Sequence, residues 1–381
     1  MSHTEAEAFA SVPTPAYVVD EARLVKNLEI LADVRRRSGA HILLAQKAFS
    51  MFRVYPLLAD CLDGTAASGL YEARLGREEF GREVHVFSPA YREDEFGEIL
   101  RFADHIIFNS FRQWRKFGPQ TLKAGRQCGL RVNPECSTQP GHAIYDPCAP
   151  GSRLGVTASA FEPAALGGLT GLHMHTLCEQ NSDALEVTVR ALEEKFGSAL
   201  MQMKWINLGG GHHITRADYD TDRLCGIVDH LRQTYGVEVY LEPGEAVALN
   251  AGFLVSTVLD VVHNGVDIAI LDASAACQMP DVLERPYRPP VRGAGAPAEK
   301  AYSYRLAGPT CLAGDVIGDY SFDTPLRSGS RVVFEDMAIY SMVKNNTFNG
   351  MRLPDIFLRR ADGSCELVRR FGYEDFKSRL S

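Results

Sequence analysis

The stretch His41-Ile42-Leu43-Leu44-Ala45-Gln46-Lys47-Ala48-Phe49-Ser50 decides how the rest of the chain is read. Residues 41–46 form an apolar run with the length of one buried strand, and a single lysine follows at its end. Comparable runs recur at 64–67, 83–88, 105–109, 129–133, 169–175, 204–208 and 237–242. Amphipathic stretches at 52–61, 72–76, 93–102, 111–117, 183–196 and 219–235 alternate with them. Strand-then-helix order requires parallel strands. Eight such units predict an α/β chain with a closed (β/α)8, TIM-like barrel, whose chemistry gathers at the C-terminal ends of its strands.

The flanks read differently. Residues 13–20 form a short strand led by Pro13 and Pro15, and 21–37 a helix with Leu24, Leu28, Ile30, Leu31 and Val34 at helical spacing and Asp20 as its cap. Beyond about residue 250, strands at 254–262, 266–271, 301–307, 331–337 and 365–370 follow one another without long helices. The expected organisation is a barrel domain over 21–250 and a β-rich barrel or sandwich domain built from 1–20 and 251–381. The Pro-, Gly- and Ala-rich loop 280–300 is expected to be mobile around 293–297.

The chain has 381 residues, is 45% hydrophobic and carries a net charge of -8. That charge argues against a broad nucleic-acid or anionic-membrane surface. No stretch has the length and apolarity of a signal core or a membrane span. Nine scattered cysteines without a CxxC pair read as free thiols of a cytoplasmic protein.

A lysine at a strand end is ordinarily just a solvated end. Three other stretches change its meaning: Gly209-Gly210-Gly211, His173-Met174-His175 and Glu242-Pro243-Gly244-Glu245. Together with Lys47 they supply an amine, an anion cradle, a ring support and a carboxylate for a pyridine nitrogen, which is the set that pyridoxal 5'-phosphate needs. A partly desolvated Lys47 has a lowered pKa, which favours covalent attachment of a carbonyl cofactor. The glycines let backbone N–H groups converge on a phosphate, and the N-terminus of a following helix would add its positive dipole; a tight turn is the plainer reading. His173 and His175 alternate along a strand and so share a face. A metal site using them with Cys178 or Glu179 is the rival, and no metal is expected because the organic cofactor already accounts for the set.

In this order, Lys47, Ser68, the His-x-His strand, the glycine run, Glu242-Pro243-Gly244, Gly308-Pro309-Thr310-Cys311 and Phe348-Asn349-Gly350 resemble the alanine-racemase-fold, pyridoxal-phosphate-dependent basic amino-acid decarboxylases. The resemblance covers nearly the whole chain. Within the family, residues 171–182, 279–284, 286–289 and 308–320 most resemble the members acting on the polyamine precursors carboxynorspermidine and carboxyspermidine. The resemblance implies that Lys47 holds the cofactor covalently and that His175 stacks on its ring. It places Gly209, Gly210, Gly211 and Tyr340 near the phosphate, Ser68 in the cofactor site and Glu242 at the pyridine nitrogen. It also implies a homodimer with shared active sites, in which Cys311 returns a proton across the interface.

Departures from the family bear on substrate. Leu312 stands where relatives specific for ornithine or diaminopimelate have an acidic residue. Glu245 replaces an arginine, and Thr176-Leu177-Cys178-Glu179 replaces a His-x-Gly-Ser run. A substrate with two amines at different depths calls for carboxylates: Glu245 and Asp281 first, Asp315 and Glu179 second. A decarboxylase of diaminopimelate or ornithine, or a non-catalytic regulator on the same fold, are the alternatives.

Overall fold

The computed structural model describes residues 9–139 and 143–381; the first eight residues of the predicted 1–20 segment lie outside them. The chain forms two compact units. One spans residues 27–247; the other combines the described residues up to Lys26 with 248–381.

After β1 (Ala16–Asp20), which belongs to the second unit, eight strands close a barrel: β2 (His41–Ala45), β3 (Gly64–Ala67), β4 (Glu83–Phe87), β5 (His105–Phe108), β6 (Gln127–Arg131), β7 (Gly171–His173), β8 (Trp205–Asn207) and β9 (Glu238–Leu241). Every neighbouring pair is parallel, and closure comes from His41 opposite Tyr240 and Ile42 opposite Leu241. The (β/α)8 expectation is borne out.

The barrel is filled by side chains, as its small bore requires. Leu43, Ile107, Trp205 and Tyr240 form one buried cluster inside it. Two glycines make room for the indole: a Cβ at Gly129 would come within 2.4 Å of the Trp205 ring, and one at Gly171 within 2.0 Å. Both strands are hollowed at these glycines to admit Trp205.

Several helix boundaries differ from the sequence reading, two of them instructively. The helix expected at 111–117 runs over Phe111–Lys123 and carries Pro119 in its interior, with Ser110 capping Gln113 N–H. The one expected at 72–76 is Leu70–Leu75, continued as a π turn to Phe80 and stopped at Gly81 (φ 73°).

The second unit has a mixed sheet of β10 (Gly252–Asn264), β11 (Val266–Leu271), β12 (Tyr302–Ala307), β13 (Val316–Phe322), β14 (Arg331–Glu335), β15 (Asp355–Arg359) and β16 (Cys365–Arg369) with β1. The order is β13-β12-β11-β10-β1-β15-β16, and β14 also pairs with β10. β1 runs antiparallel to β10 and parallel to β15. Tyr17, Leu254, Leu306 and Phe334 lie in its main core, where the Tyr17 hydroxyl donates to the Gln278 carbonyl at 2.5 Å. β13 and β15 escaped the sequence reading. Gly318 and Asp319 interrupt the first, and Pro354 and Asp355 open the second with turn-forming residues.

The 280–300 loop is tied at several points. It begins with a helical turn at Asp281–Glu284, Gly295 N–H bonds the Ser321 carbonyl at 2.8 Å, and Arg288 donates to the Asp319 carbonyl at 3.0 Å. Among the described residues no helix is long and apolar enough to cross a membrane. All nine cysteines are free thiols.

Candidate active site at the C-terminal end of the barrel

Lys47 follows β2 by two residues, at the end of the barrel where the parallel strands finish. It opens to solvent there, yet protein surrounds its amine closely. Desolvation lowers its pKa; Glu242 opposes that, and the Arg131 charge adds to it. Among the described residues the amine makes no hydrogen bond or ion pair. An unpaired lysine in a shielded position has its lone pair nearer to availability than a surface lysine has.

Glu242 directly follows β9 and is buried. Burial alone raises a carboxyl pKa; the His173 imidazole, 3.5 Å away, and the Asn207 amide outweigh it and hold the group at about 2. Asn207, the last residue of β8, donates to Oε1 at 2.7 Å. Oε2 has no hydrogen bond among the described residues, so an anionic acceptor remains available. Asn207 works in two directions, since its carbonyl oxygen also accepts Gly209 N–H at 2.8 Å.

The glycine loop is shaped by close approach. A Cβ at Gly209, Gly210 or Gly211 would come within 2.6, 2.3 or 2.0 Å of the carbonyls of Met174, Glu242 and Leu177. Gly209 and Gly211 also have positive φ. Only glycine lets the loop lie this flat across the ends of its neighbours. The following helix, expected at 219–235, is Thr221–Tyr235, capped by Asp220, and turns separate it from the loop. Any anion here is therefore met by loop backbone and not by a helix terminus.

The two histidines take different places. His173 ends β7, is fully enclosed and stacks on Phe87 at 5.5 Å. Burial lowers its pKa against the pull of Glu242, and among the described residues neither of its ring nitrogens has a hydrogen-bond partner. His175 lies beyond the strand, where its Nδ1 accepts Gly210 N–H at 3.1 Å. Desolvation, then the charges of Lys47 and Arg131, hold its pKa well below the ordinary value. A neutral imidazole anchored at one nitrogen suits stacking on a ring better than an imidazolium does.

These residues fit pyridoxal phosphate. The chain offers an unpaired amine at Lys47, an anionic acceptor at Glu242 Oε2, an anchored imidazole at His175 and a flat glycine loop. The family model for pyridoxal-dependent decarboxylase, C-terminal sheet domain, matches residues 16–338. This chain belongs to the pyridoxal-dependent decarboxylases.

Its relatives within that family are close. The carboxynorspermidine/carboxyspermidine decarboxylase of Campylobacter jejuni is 44% identical over 97% of this chain and 99% of its own. The carboxyaminopropylagmatine decarboxylase of Synechocystis is also 44% identical, over 97% of this chain and 96% of its own. The crystal structure of carboxynorspermidine decarboxylase complexed with norspermidine, from Campylobacter jejuni, superimposes with a TM-score of 0.91 at 43% identity, covering 97% of this chain and all of that one.

The remaining candidate residues of this pyridoxal-dependent decarboxylase divide between the units. In the barrel unit, Ser68 follows β3 and is exposed, with its N–H bonded to Glu72. Glu245 is engaged by His213 Nε2 at 2.8 Å, so the carboxylate that replaces the family arginine comes with its own partner. Glu179 has positive φ (54°) and is half-buried.

In the other unit, Cys311 is exposed in the turn after β12, and its N–H donates to Asn349 Oδ1 at 2.8 Å. Asp315 is buried beneath that turn. It accepts the Thr310 hydroxyl at 2.6 Å and the Ala276 N–H at 3.4 Å. A Cβ on Gly308 would meet its carboxylate at 2.2 Å. Its oxygens are thus committed to holding the Cys311 turn. Asp281 pairs with Lys344 at 2.5 Å, as does Glu284, leaving one ammonium between two carboxylates. Tyr340 has positive φ (45°), uncommon for an aromatic residue.

Sequence reading did not single out Asn207 or Arg131. Arg131 is buried at the end of β6, donates to the His175 carbonyl at 3.2 Å and lies 4.5 Å over the Phe87 ring. Burial pulls its pKa down to about 10 against the attraction of Glu242. Polar residues closing apolar strands were the available signal in Arg131 and Asn207.

Proposed function

We propose that this enzyme decarboxylates a carboxylated linear triamine, carboxynorspermidine or carboxyspermidine, as a cytoplasmic homodimer with shared active sites. The similarity to the Campylobacter jejuni enzyme over the full length of both chains carries this reading, and the accompanying norspermidine complex gives the chemical class. Pyridoxal phosphate, when bound, supplies the electron sink into which the bond to the departing carboxylate collapses.

The chain's own residues do the rest. Lys47 would hold the cofactor through its unpaired amine. Glu242, anionic at neutral pH, accepts an N–H from the pyridine ring and keeps that nitrogen protonated. His175 would support the ring, and the glycine loop, with Ser68 and Tyr340, would receive the phosphate. Cys311 of a second copy gives a proton to the α carbon; its exposed turn, braced by Asn349 and Asp315, suits a thiol that works across an interface. Glu245, Asp281 and Glu179 are the carboxylates for the distal amines. Asp315 is the weakest of the four proposed, since its bonds are internal to the turn.

The Synechocystis relative supports a second reading, in which the substrate is carboxyaminopropylagmatine. That substrate ends in a guanidinium, which favours a bidentate carboxylate over a point contact. Steady-state CO2 release from carboxynorspermidine, carboxyspermidine, carboxyaminopropylagmatine, meso-diaminopimelate and ornithine tests both. Highest kcat/KM on one of the first two is expected. Preference for the third supports the second reading, and turnover of only the last two overturns both.

A further inference from the structure

A second histidine–carboxylate cluster lies at the opposite end of the barrel strands. Glu83 opens β4, His85 follows it by two residues on the same strand, and His105 opens β5. Residues two apart on a strand share a face. His85 is the register partner of His105, so the three side chains converge. His85 Nε2 lies 3.5 Å from Glu83 Oε2, and His105 Nδ1 lies 3.4 Å from Glu83 Oε1. Ligand atoms from all three fall within 4.8 Å of one another, the one group of at least three potential metal ligands among the described residues to do so.

A packing role does not account for the polar atoms. The His85 side chain is fully buried and that of His105 is 6% exposed, yet among the described residues both nitrogens of His85 and Nδ1 of His105 have no hydrogen-bond partner. Buried polar groups are nearly always satisfied, so orphaned nitrogens aimed at one carboxylate call for a missing partner. The two rings also lie 3.8 Å apart between centroids, an arrangement that cannot tolerate two imidazolium charges. A neutral imidazole is the form that binds metal.

We propose that Glu83, His85 and His105 bind one divalent transition-metal ion, Zn2+ by preference, and so clamp β4 to β5 at the N-terminal end of the barrel. Two imidazoles and a carboxylate are a borderline donor set suited to zinc. With metal–ligand bonds of about 2.0–2.1 Å, neighbouring ligands of a tetrahedral ion stand roughly 3.3 Å apart, close to the two histidine–carboxylate spacings here, each of which runs to a different oxygen of Glu83. The Glu83 side chain is 30% exposed, which provides an entry path and a side on which water completes the shell. The N-terminal end of such barrels serves stability and not chemistry, so the ion's role is structural.

The test uses the cofactor-loaded enzyme, stripped with a chelator and dialysed, then titrated with Zn2+ and, separately, with Co2+. About one ion per chain is expected, with visible cobalt ligand-field absorption and a rise in unfolding temperature on adding Zn2+. Glu83→Gln should bind at least tenfold more weakly and lose most of that rise while keeping its decarboxylase activity. A His85→Asn/His105→Asn double variant should bind no ion at this site. Should the double variant fail to fold, Glu83→Gln decides alone, since its side chain is partly in solvent. No retained ion, or equal binding by wild type and Glu83→Gln, overturns the proposal.

Discussion

The two ends of the barrel hold similar residues in dissimilar company. At the C-terminal end, Glu242 stands beside His173, and Asn207 braces the carboxylate and the glycine loop together. At the N-terminal end, Glu83 stands between His85 and His105, and among the described residues no amide or backbone donor divides its charge. One cluster is organised by hydrogen bonds that fix a carboxylate's direction. The other is organised by convergence of ligand atoms alone. Directed bonds suit an organic ring with one N–H to recognise; bare convergence suits a spherical ion. Histidine and glutamate do not by themselves say which chemistry a site performs; their partners do.

The sharpest way to break this comparison is at Lys47. Lys47→Ala removes the residue proposed to carry the cofactor. Its activity should fall by roughly 10^4-fold or more, the scale seen when a covalent nucleophile is lost. The visible absorbance of lysine-bound cofactor should vanish while the far-UV circular dichroism stays that of wild type. A variant that keeps both band and turnover would show that the amine lies elsewhere.

Glu242→Gln comes next. It is nearly isosteric and keeps a partner for Asn207, but it offers a neutral oxygen or an amide where an anion stood. A fall in kcat of roughly 10^2–10^3 is expected, the size of losing one preorganised electrostatic partner. The cofactor band should survive. An unchanged kcat would mean that the anion held beside His173 is structural, which would make the two ends of the barrel alike after all.

A smaller effect tests the shared site. Lys47→Ala and Cys311→Ala proteins, each nearly inactive, should regain roughly a quarter of wild-type activity when unfolded and refolded as an equal mixture, because half the dimers are then mixed and each of those has one intact site. No recovery would place Cys311 in the same chain's site or outside the site altogether.

Much of the barrel was legible because each buried parallel strand is a short apolar run, and all eight runs became strands. The run at 64–67, GTAA, was weak for a physical reason: a Cβ on Gly64 would strike the Glu83 carbonyl at 2.1 Å, so side-chain bulk is excluded there. Lys47, the glycine loop and Glu242 stood out because they interrupt apolar patterns. Asn207, which links two of them, did not, since a single amide at a strand end has no signature until its two partners are placed. The His85–His105 cluster was invisible for a related reason. The two histidines are 20 residues apart in sequence, and only strand register makes them neighbours.

The smallest effect separates the two ends by pH. In the folded chain burial holds His105 at about 2, below its ordinary 6.5. Below pH 6.5 the unfolded chain takes up a proton there that the folded chain refuses, so stability falls as pH falls. The loss from one such group is at most about 1.4 kcal/mol per pH unit. Glu242 acts in a lower window: with a folded pKa of about 2 against an ordinary 4.5, its contribution is present above 4.5 and disappears as pH drops through about 2. His41 has the opposite sign, because the Asp63 hydrogen bond raises its pKa, but it is present in both proteins compared. Urea midpoints of chelator-treated wild type and His105→Asn between pH 6.5 and 5 therefore isolate the N-terminal cluster. The wild type should lose stability more steeply, by about one group's slope. Parallel profiles would show that His105 is protonated in the fold, and a cationic His105 against His85 would leave Glu83 an ion-pair partner and no metal ligand.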